Sequence, residues 1–410
     1  MTTTRLIGVL VAGAAVLAPL ATAAQDIRNV PVQDRPRPDY DPLGIRVRSF
    51  LIYPQLDTGV AYDDNIFATS DNEDDDVIFT LRPEITAVSQ WSRHQLNLSA
   101  FGDFGFYADH NNSDYQDFGV GAGGRLDALR NSRTTLQTAF ARLHEDAEQA
   151  DAQGNEDVTQ YYRTSVNLNH RHEFARIYVQ PIARFLRLDF DNAGDVSNTD
   201  RDRNEYALGL RSGYALSPRI TPFLEVTGSL REYDETPGVD RNSTGFDALI
   251  GTAIDFTGVI FGEVSAGFTR REYDDNDLEN VNGFAGNAAV TWNVTPLTSV
   301  IFDGSAGIDE TTITYDGDTA TANNYAGLGV NVFHELRRNI ILNVNGEYVR
   351  DDYEGTGRTD NTYRGRRGRQ LPDQPPLLPR RHLRLQPSPI GRRECGFDRN
   401  IFRLGLVAKL

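Results

Sequence analysis

From Phe50 onward the chain alternates apolar and polar positions almost without a break. Ile340, Leu342, Val344, Gly346 and Tyr348 alternate with Asn339, Asn343, Asn345 and Glu347, Ile341 being the exception. Leu98, Ala100, Phe104 and Phe106 share one face of 96–108, and Asn97, Ser99 and Asp103 share the other. Leu224, Val226 and Leu230 oppose Glu225, Thr227, Ser229 and Arg231 in the same way. Period two with β-branched and aromatic enrichment predicts strands with one apolar and one polar face. These strands run to roughly 11–15 residues against a soluble mean of about 5–6. A tilted membrane-crossing strand needs about 9–11.

The breaks carry further information. Tight connections fall near 91–92, 130–132, 173–174, 217–218, 257–258, 295–296 and 337–338. Longer acidic ones fall at 63–76, 109–114, 145–158, 191–203, 235–242, 274–281 and 315–321. Short and long connections alternate strictly, as in a meander whose turns face one compartment and whose loops face another. The pattern predicts an all-β fold: a transmembrane antiparallel up-and-down barrel with short periplasmic turns and longer acidic extracellular loops. Fifteen strands are counted from Phe50 to Tyr353, a sixteenth begins near Asp360, and the terminal strand is 399–410. The gap between has room for one more. The total is eighteen, an even number as bacterial barrels have, with sixteen the alternative if one pair is over-split. Tyr62, Tyr107, Tyr115, Tyr206, Tyr233, Tyr273 and Tyr325 gather where strands meet loops. Trp91, Trp292 and Phe333 lie toward the turns, so the two groups read as aromatic belts at two membrane interfaces.

The N-terminus sets the compartment. Arg5, an apolar stretch from Leu6 to Leu20 and then Ala21-Thr22-Ala23 read as a secretory signal peptide over residues 1–23. Residues 24–48 hold Arg35-Pro36-Arg37-Pro38 and Asp41-Pro42 and read as a periplasmic Pro-bearing lead with no core of its own. The barrel is placed at 49–410. No later run reaches the ~18 apolar residues of a membrane helix, so a helical membrane protein is excluded.

Composition removes other classes. The 410 residues carry 41 basic and 58 acidic side chains, a formal net charge of −17. That balance opposes nucleic-acid binding, which needs a basic face. The single cysteine, Cys395, excludes a disulfide framework, a Cys-rich zinc site and an iron–sulfur cluster. Gly119-Val120-Gly121-Ala122-Gly123-Gly124 matches G-x-G-x-x-G, yet it lies inside an alternating strand and reads as small lumen-side residues rather than a dinucleotide loop. His170-Arg171-His172 lacks a third ligand in sequence. With no G-x-S-x-G, no H-E-x-x-H and no other nucleophile–base set, neither an enzyme nor a cofactor is expected.

One segment departs from the texture. Residues 364–395 hold nine Arg and six Pro, no aromatic residue and the lone Cys. By composition alone they read as a basic disordered tail. A second reading is an out-of-frame translation replacing part of two strands, because Arg/Pro-rich text is what GC-rich DNA often yields in a wrong frame and Lys409 is the only lysine. Strand-like sequence stops at Asp360-Asn361-Thr362-Tyr363 and resumes at Phe397-Asp398-Arg399-Asn400. The segment is formally +7, which leaves about −24 on the remainder, much of it in the loops. The chain ends with Phe402, Leu404, Leu406, Ala408 and Leu410 on one face, the form of a terminal strand offered to the barrel-insertion machinery.

The run Arg35-Pro36-Arg37-Pro38-Asp39-Tyr40-Asp41-Pro42-Leu43-Gly44-Ile45, then Tyr53-Pro54, then Tyr62-Asp63-Asp64-Asn65-Ile66-Phe67-Ala68 resembles the putative β-barrel porin 2 family of Gram-negative outer-membrane proteins. The resemblance covers the mature chain apart from 364–395. It implies the outer membrane and a barrel fold, and more distantly transport, since some members lie beside genes for exopolysaccharide or capsule export. It carries no catalytic residues.

Two sets of residues remain as candidates. The acidic clusters, with Asp63, Asp64, Asp74, Asp75, Asp76, Asp274 and Asp275, group carboxylates as cation sites do, without the spacing of an EF-hand loop. They read first as solvated loops and second as a divalent-cation bridge to lipopolysaccharide. By alternation Asp103, Arg125, Arg184, Arg211, Glu225, Arg231, Asp303 and Glu347 point into the lumen. There they either tune a channel or pair to hold the wall. A channel for hydrophilic solutes, with polysaccharide-export components as its candidate partners, is the first reading. A non-conducting structural or adhesive barrel, plugged by the lead or by loops, is the rival.

Overall fold

A computed structural model describes residues 30–148, 157–194, 197–236, 238–256, 258–370, 382–387 and 397–409. The proposed signal peptide, Cys395 and most of 371–396 lie outside the described residues.

The wall is built from β1 (Phe50–Asp63), β2 (Asp76–Ser89), β3 (Gln95–Tyr107), β4 (Tyr115–Leu129), β5 (Ser132–His144) and β6 (Gln160–Phe174). It continues through β7 (Ile177–Phe190), β8 (Arg203–Tyr214), β9 (Ile220–Tyr233), β10 (Ser243–Phe256), β11 (Ile260–Tyr273) and β12 (Val281–Thr295). The last six are β13 (Thr298–Asp309), β14 (Ala322–Arg337), β15 (Ile340–Glu354), β16 (Thr359–Gln370), β17 (His382–Pro387) and β18 (Ile401–Lys409). Each pairs antiparallel with the next, and β18 returns to β1 from Gln55↔Lys409 to Asp63↔Ile401. Eighteen strands thus close without an edge. In hydrocarbon, closure is what satisfies every strand's backbone polar groups.

Burial runs inside out, as alternation requires. Leu208 is 72% exposed and Ile250 is 69% exposed on the outer face, whereas Asp57, Glu225, Arg231 and Arg403 are buried on the inner one. The register keeps the faces in phase from strand to strand: Val60 stands opposite Phe79 and Leu404, and Asp57 stands opposite Arg82. A slip of one residue would send charges into lipid and apolar groups into the lumen.

The connections follow the expected alternation as far as β15. The turn-end links are 90–94, 130–131, 175–176, 215–219, 257–259, 296–297 and 338–339. The loop-end links begin with 64–75 and reach 310–321, which carries a small hairpin of Thr314–Tyr315 and Asp318–Thr319. The loop end then shortens. At the loop end, 355–358 is a tight turn in which Gly355 takes φ 84° and the Thr356 N–H donates to the Tyr353 carbonyl.

One sequence expectation needs correction. Tyr115, Tyr233, Tyr273 and Tyr325 are buried, and with Tyr107 and Phe333 they have inner-face parity. They do not form an outer belt, because they are in phase with Asp117, Arg231, Arg271 and Gly327. Tyr62, Tyr206 and Trp292 do face outward. The lead packs onto the barrel. Val32 is fully buried and its N–H donates to Ser299 Oγ at 2.8 Å. Arg37 pairs with Glu335 at 3.0 Å and donates to the Val32 carbonyl. The lead therefore docks against inward-facing groups of β13 and β14 at the turn end, while Ile45–Val47 adds a short strand to β1.

Candidate functional site

The inner wall is a lattice of opposite charges, because alternation delivers one inward side chain every second residue on neighbouring strands. Arg211 on β8 donates to Glu225 on β9 at 2.6 Å and to Glu263 on β11 at 2.9 Å, and Arg184 on β7 stands 3.8 Å from Glu225. Nearer the loop end, Arg231 on β9 pairs with Glu205 at 3.4 Å and with Glu310 of the 310–321 loop, while Arg203 pairs with Glu205 at 2.8 Å. Arg82 holds Asp103 at 2.6 Å. Toward the turn end, Arg125 and Arg133 both hold Asp127 at 3.0 Å. Asp303 accepts from Asn331 Nδ2 at 2.9 Å, and Glu347 lies 3.6 Å from Arg364 on β16.

All eight sequence-selected lumen residues therefore have inner-face parity. Arg184, Arg211, Glu225 and Arg231 converge on one cavity of about 480 Å³ against β7–β14. Asp103, Arg125, Asp303 and Glu347 stand elsewhere on the wall. Parity could also have found Arg82, Glu205, Glu263 and Arg271. No strand periodicity reaches Glu310, Glu148 or Arg399, which act from loops.

The acidic clusters have internal employment. Asp63, with no exposed side-chain surface, accepts from Arg399 Nε at 3.0 Å and Nη2 at 2.6 Å. Asp64 accepts from the Asn400 backbone N–H and from its Nδ2 at 2.8 Å. Asn65 donates to the Asp398 carbonyl at 3.1 Å. The Asp63-Asp64-Asn65 run thus clasps the residues just before β18. Asp76 accepts backbone N–H groups of Ala108, Asp109 and His110, fixing the start of the 108–114 loop. The Asp277 and Asp240 backbone N–H groups hold the Asp275 carboxyl below the usual carboxylate range. Asp74, Asp75 and Asp274 are exposed. Among the described residues no group of three or more His, Cys, Asp or Glu is placed to hold a metal ion. His170 bonds Thr134 Oγ1 at 2.8 Å and His172 lies tilted at 55° against the Phe174 ring.

A loop crosses the lumen at its loop end. From the link after β5, Glu148 reaches Arg364 at 2.8 Å and Arg399 at 3.6 Å, and Asp146 reaches Arg399 at 3.0 Å. Burial alone would raise the Asp146 carboxyl. Arg399, the Glu148 backbone N–H and His144 outweigh it and hold the group at about 2.

An eighteen-stranded closed sheet with an apolar outer face and a charged inner one defines a transmembrane β-barrel of the outer-membrane porin type. Within that class, the chain belongs to the family described as Putative beta-barrel porin 2, whose model matches residues 37–370. Among solved structures it is similar to OpdL of Pseudomonas aeruginosa, at 12% identity over 89% of this chain and 99% of that one, with a TM-score of 0.48. OccK9 (OpdG) of Pseudomonas aeruginosa gives 13% identity, 89% and 99% coverage and a TM-score of 0.48. OprD of the same organism gives 12%, 91% and 97%, and 0.45. None of the curated proteins matches this chain.

Proposed function

We propose that this protein is an outer-membrane channel for small hydrophilic solutes, with Asp103, Arg125, Arg184, Arg211, Glu225, Arg231, Asp303 and Glu347 lining its path. The observation that carries the reading is the inner wall, where paired charges flank an open cavity instead of meeting in a dry core. Charges that satisfy one another can line a water-filled route without drawing an ion into a trap. Planar-bilayer recording of the purified chain tests it. Stepwise conductance in KCl is expected, and a barrel silent across voltages and salts overturns the reading.

The docked lead supports a second reading, a barrel closed at its turn end, because buried Val32 and the Arg37–Glu335 pair hold the lead against the inner wall. Deleting 25–42 separates the two: a several-fold rise in conductance marks the lead as a plug, and unchanged conductance leaves the path open beside it. The finer setting follows from the sequence. Residues 1–23 are cleaved as a signal peptide, the barrel-insertion machinery takes up β18, and lipopolysaccharide surrounds the loop end. Service to polysaccharide-export components rests on resemblance alone, and gene adjacency to polysaccharide synthases is its test.

The out-of-frame reading of 364–395 also stands as a proposal. In the β15–β16 register, positions 365, 367 and 369 stand opposite Gly346, Val344 and Leu342, on the outward parity, and hold Gly, Arg and Arg. Translating the gene in its other two frames across this stretch should yield alternating strand text ending near Gly396. Its absence from both frames removes the idea.

A further inference from the structure

The cavity against β7–β14 holds two opposite charges that the wall does not use. Arg271 on β11 is 7% exposed, and Gly245 leaves the space in which its guanidinium lies. Its one hydrogen bond is a long contact of 3.4 Å to Ser229 Oγ, its Nε has no acceptor, and no carboxylate pairs with it among the described residues. Asp247 on β10 faces the same cavity and makes no ion pair or side-chain hydrogen bond among the described residues. The two are diagonal neighbours across the β10–β11 ladder, since Arg271 stands opposite Gly245 and Asp247 opposite Thr269. Such diagonals lie about 7–8 Å apart. Long side chains can span such a diagonal, yet the two make no bridge here, and one small solute can touch both. Ser265 and Asn287, also in the lining, have no side-chain partner among the described residues.

A nearly buried guanidinium left without an acceptor is costly unless something supplies one. The carboxylates near it are already paired. Glu205 serves Arg203 and Arg231, Glu310 serves Arg231, and Glu225 and Glu263 serve Arg211. An anion alone would satisfy Arg271 but would face the Asp247 carboxylate. A cation alone would meet the reverse difficulty.

We propose that this cavity is a binding step for a small zwitterion bearing a carboxylate and an ammonium group, of the α-amino-acid class, with the carboxylate on Arg271 and the ammonium on Asp247. Both charges of the solute then find the partner that the wall leaves free. Ser265 and Asn287 supply hydrogen bonds to the remaining atoms, and about 480 Å³ accommodates a side chain of ordinary size. The site deepens the channel reading by naming a solute class, and its occupancy can be measured apart from permeation.

Alanine is the probe, with propionate, which lacks the ammonium, and ethylamine, which lacks the carboxylate, as controls. Liposomes carrying the purified protein should swell at least threefold faster in alanine than in either control at matched osmolarity, corrected for charge by KCl conductance. Arg271→Met and Asp247→Asn should each abolish that preference, the double variant should lose no more, and Arg271→Lys should restore part of it. The KCl conductance of each variant normalises its swelling rates. Equal uptake of alanine and propionate, both falling in Arg271→Met and neither in Asp247→Asn, would mean an anion site and overturn the proposal. Calorimetry on the detergent-held barrel covers a silent channel: alanine heat lost in both variants keeps the site while the channel reading falls, and no heat in the wild type rejects the site.

Discussion

The wall from β1 to β15 and the closing sector from β16 to β18 solve the same problem differently. In the wall, β14 and β15 stay in register from Ala322↔Glu354 to Glu335↔Ile341, with one bulge before Arg337↔Ile340, and closure is the work of backbone ladders and in-phase side chains. In the closing sector, β16 meets β17 only at Arg369↔Leu385 among the described residues, and β17 is six residues long. What ladder bonds do not supply there, ion pairs do. Asp63, Asp64 and Asn65 clasp 398–400, Arg403 holds Asp57 at 2.9 Å, and Glu148 ties β16 to a loop from the far side of the lumen. A barrel can therefore be completed by charge where strand text fails, but the stability then depends on a few buried groups.

The largest effect follows from breaking the clasp. Arg399→Met leaves Asp63 buried without its counter-charge, and removing one partner of a buried pair costs about 3–5 kcal/mol. Thermal unfolding of the detergent-held barrel should show this loss, with 397–409 becoming susceptible to protease first. A midpoint equal to wild type would mean that the β17–β18 ladder, from His382↔Val407 to Pro387↔Phe402, carries the closure.

The outer wall comes next. Leu328→Arg puts a charge on the lipid-facing side of β14, where mid-bilayer arginine costs about 2–4 kcal/mol. The loss should appear when folding is measured in lipid vesicles and should shrink in detergent. Third is the inner wall. Arg211→Met strands neither acid fully, since Glu225 keeps Arg184 at 3.8 Å and Glu263 is partly exposed. The expected loss is about 1–2 kcal/mol. If it equalled that of Arg399→Met, the wall and the seam would share one mode of stabilisation and the comparison would fail.

The wall was legible because its signal is local. Alternation placed the 63–76 loop within one residue of the observed 64–75 and gave eighteen strands. The same parity held the correct answer for the tyrosines: Tyr233 is in phase with Arg231 and Glu225, and so belongs inside, whatever its position at a strand end. The clasp and the docked lead were not legible. Asp63 finds Arg399, and Val32 finds Ser299, across more than 260 positions of chain, and no periodicity encodes such a meeting. Within the acidic runs Asp63, Asp64, Asp76 and Asp275 act as counter-charge and caps while Asp74, Asp75 and Asp274 stand exposed, because composition reports which groups are present and only tertiary structure says what faces them.

The smallest effect tests whether the crossing loop belongs to the seam. Asp146 is held at about 2, against an ordinary aspartate near 3.9. Its folded-state value is depressed, so its contribution is complete above about pH 4 and is lost as pH falls toward 2. Between those limits the unfolded chain takes up a proton that the folded one refuses. Other carboxylates titrate in the same window, so the informative quantity is a difference. The thermal midpoint should fall further between pH 5 and pH 3 in the wild type than in Asp146→Asn, by a degree or two. The gap between the two proteins should narrow again in an Arg399→Met background, since Arg399 is the chief group that outweighs burial. A pH response identical in wild type and Asp146→Asn would detach the 145–159 loop from closure and leave the clasp at 63–65 as the seam's own fastening.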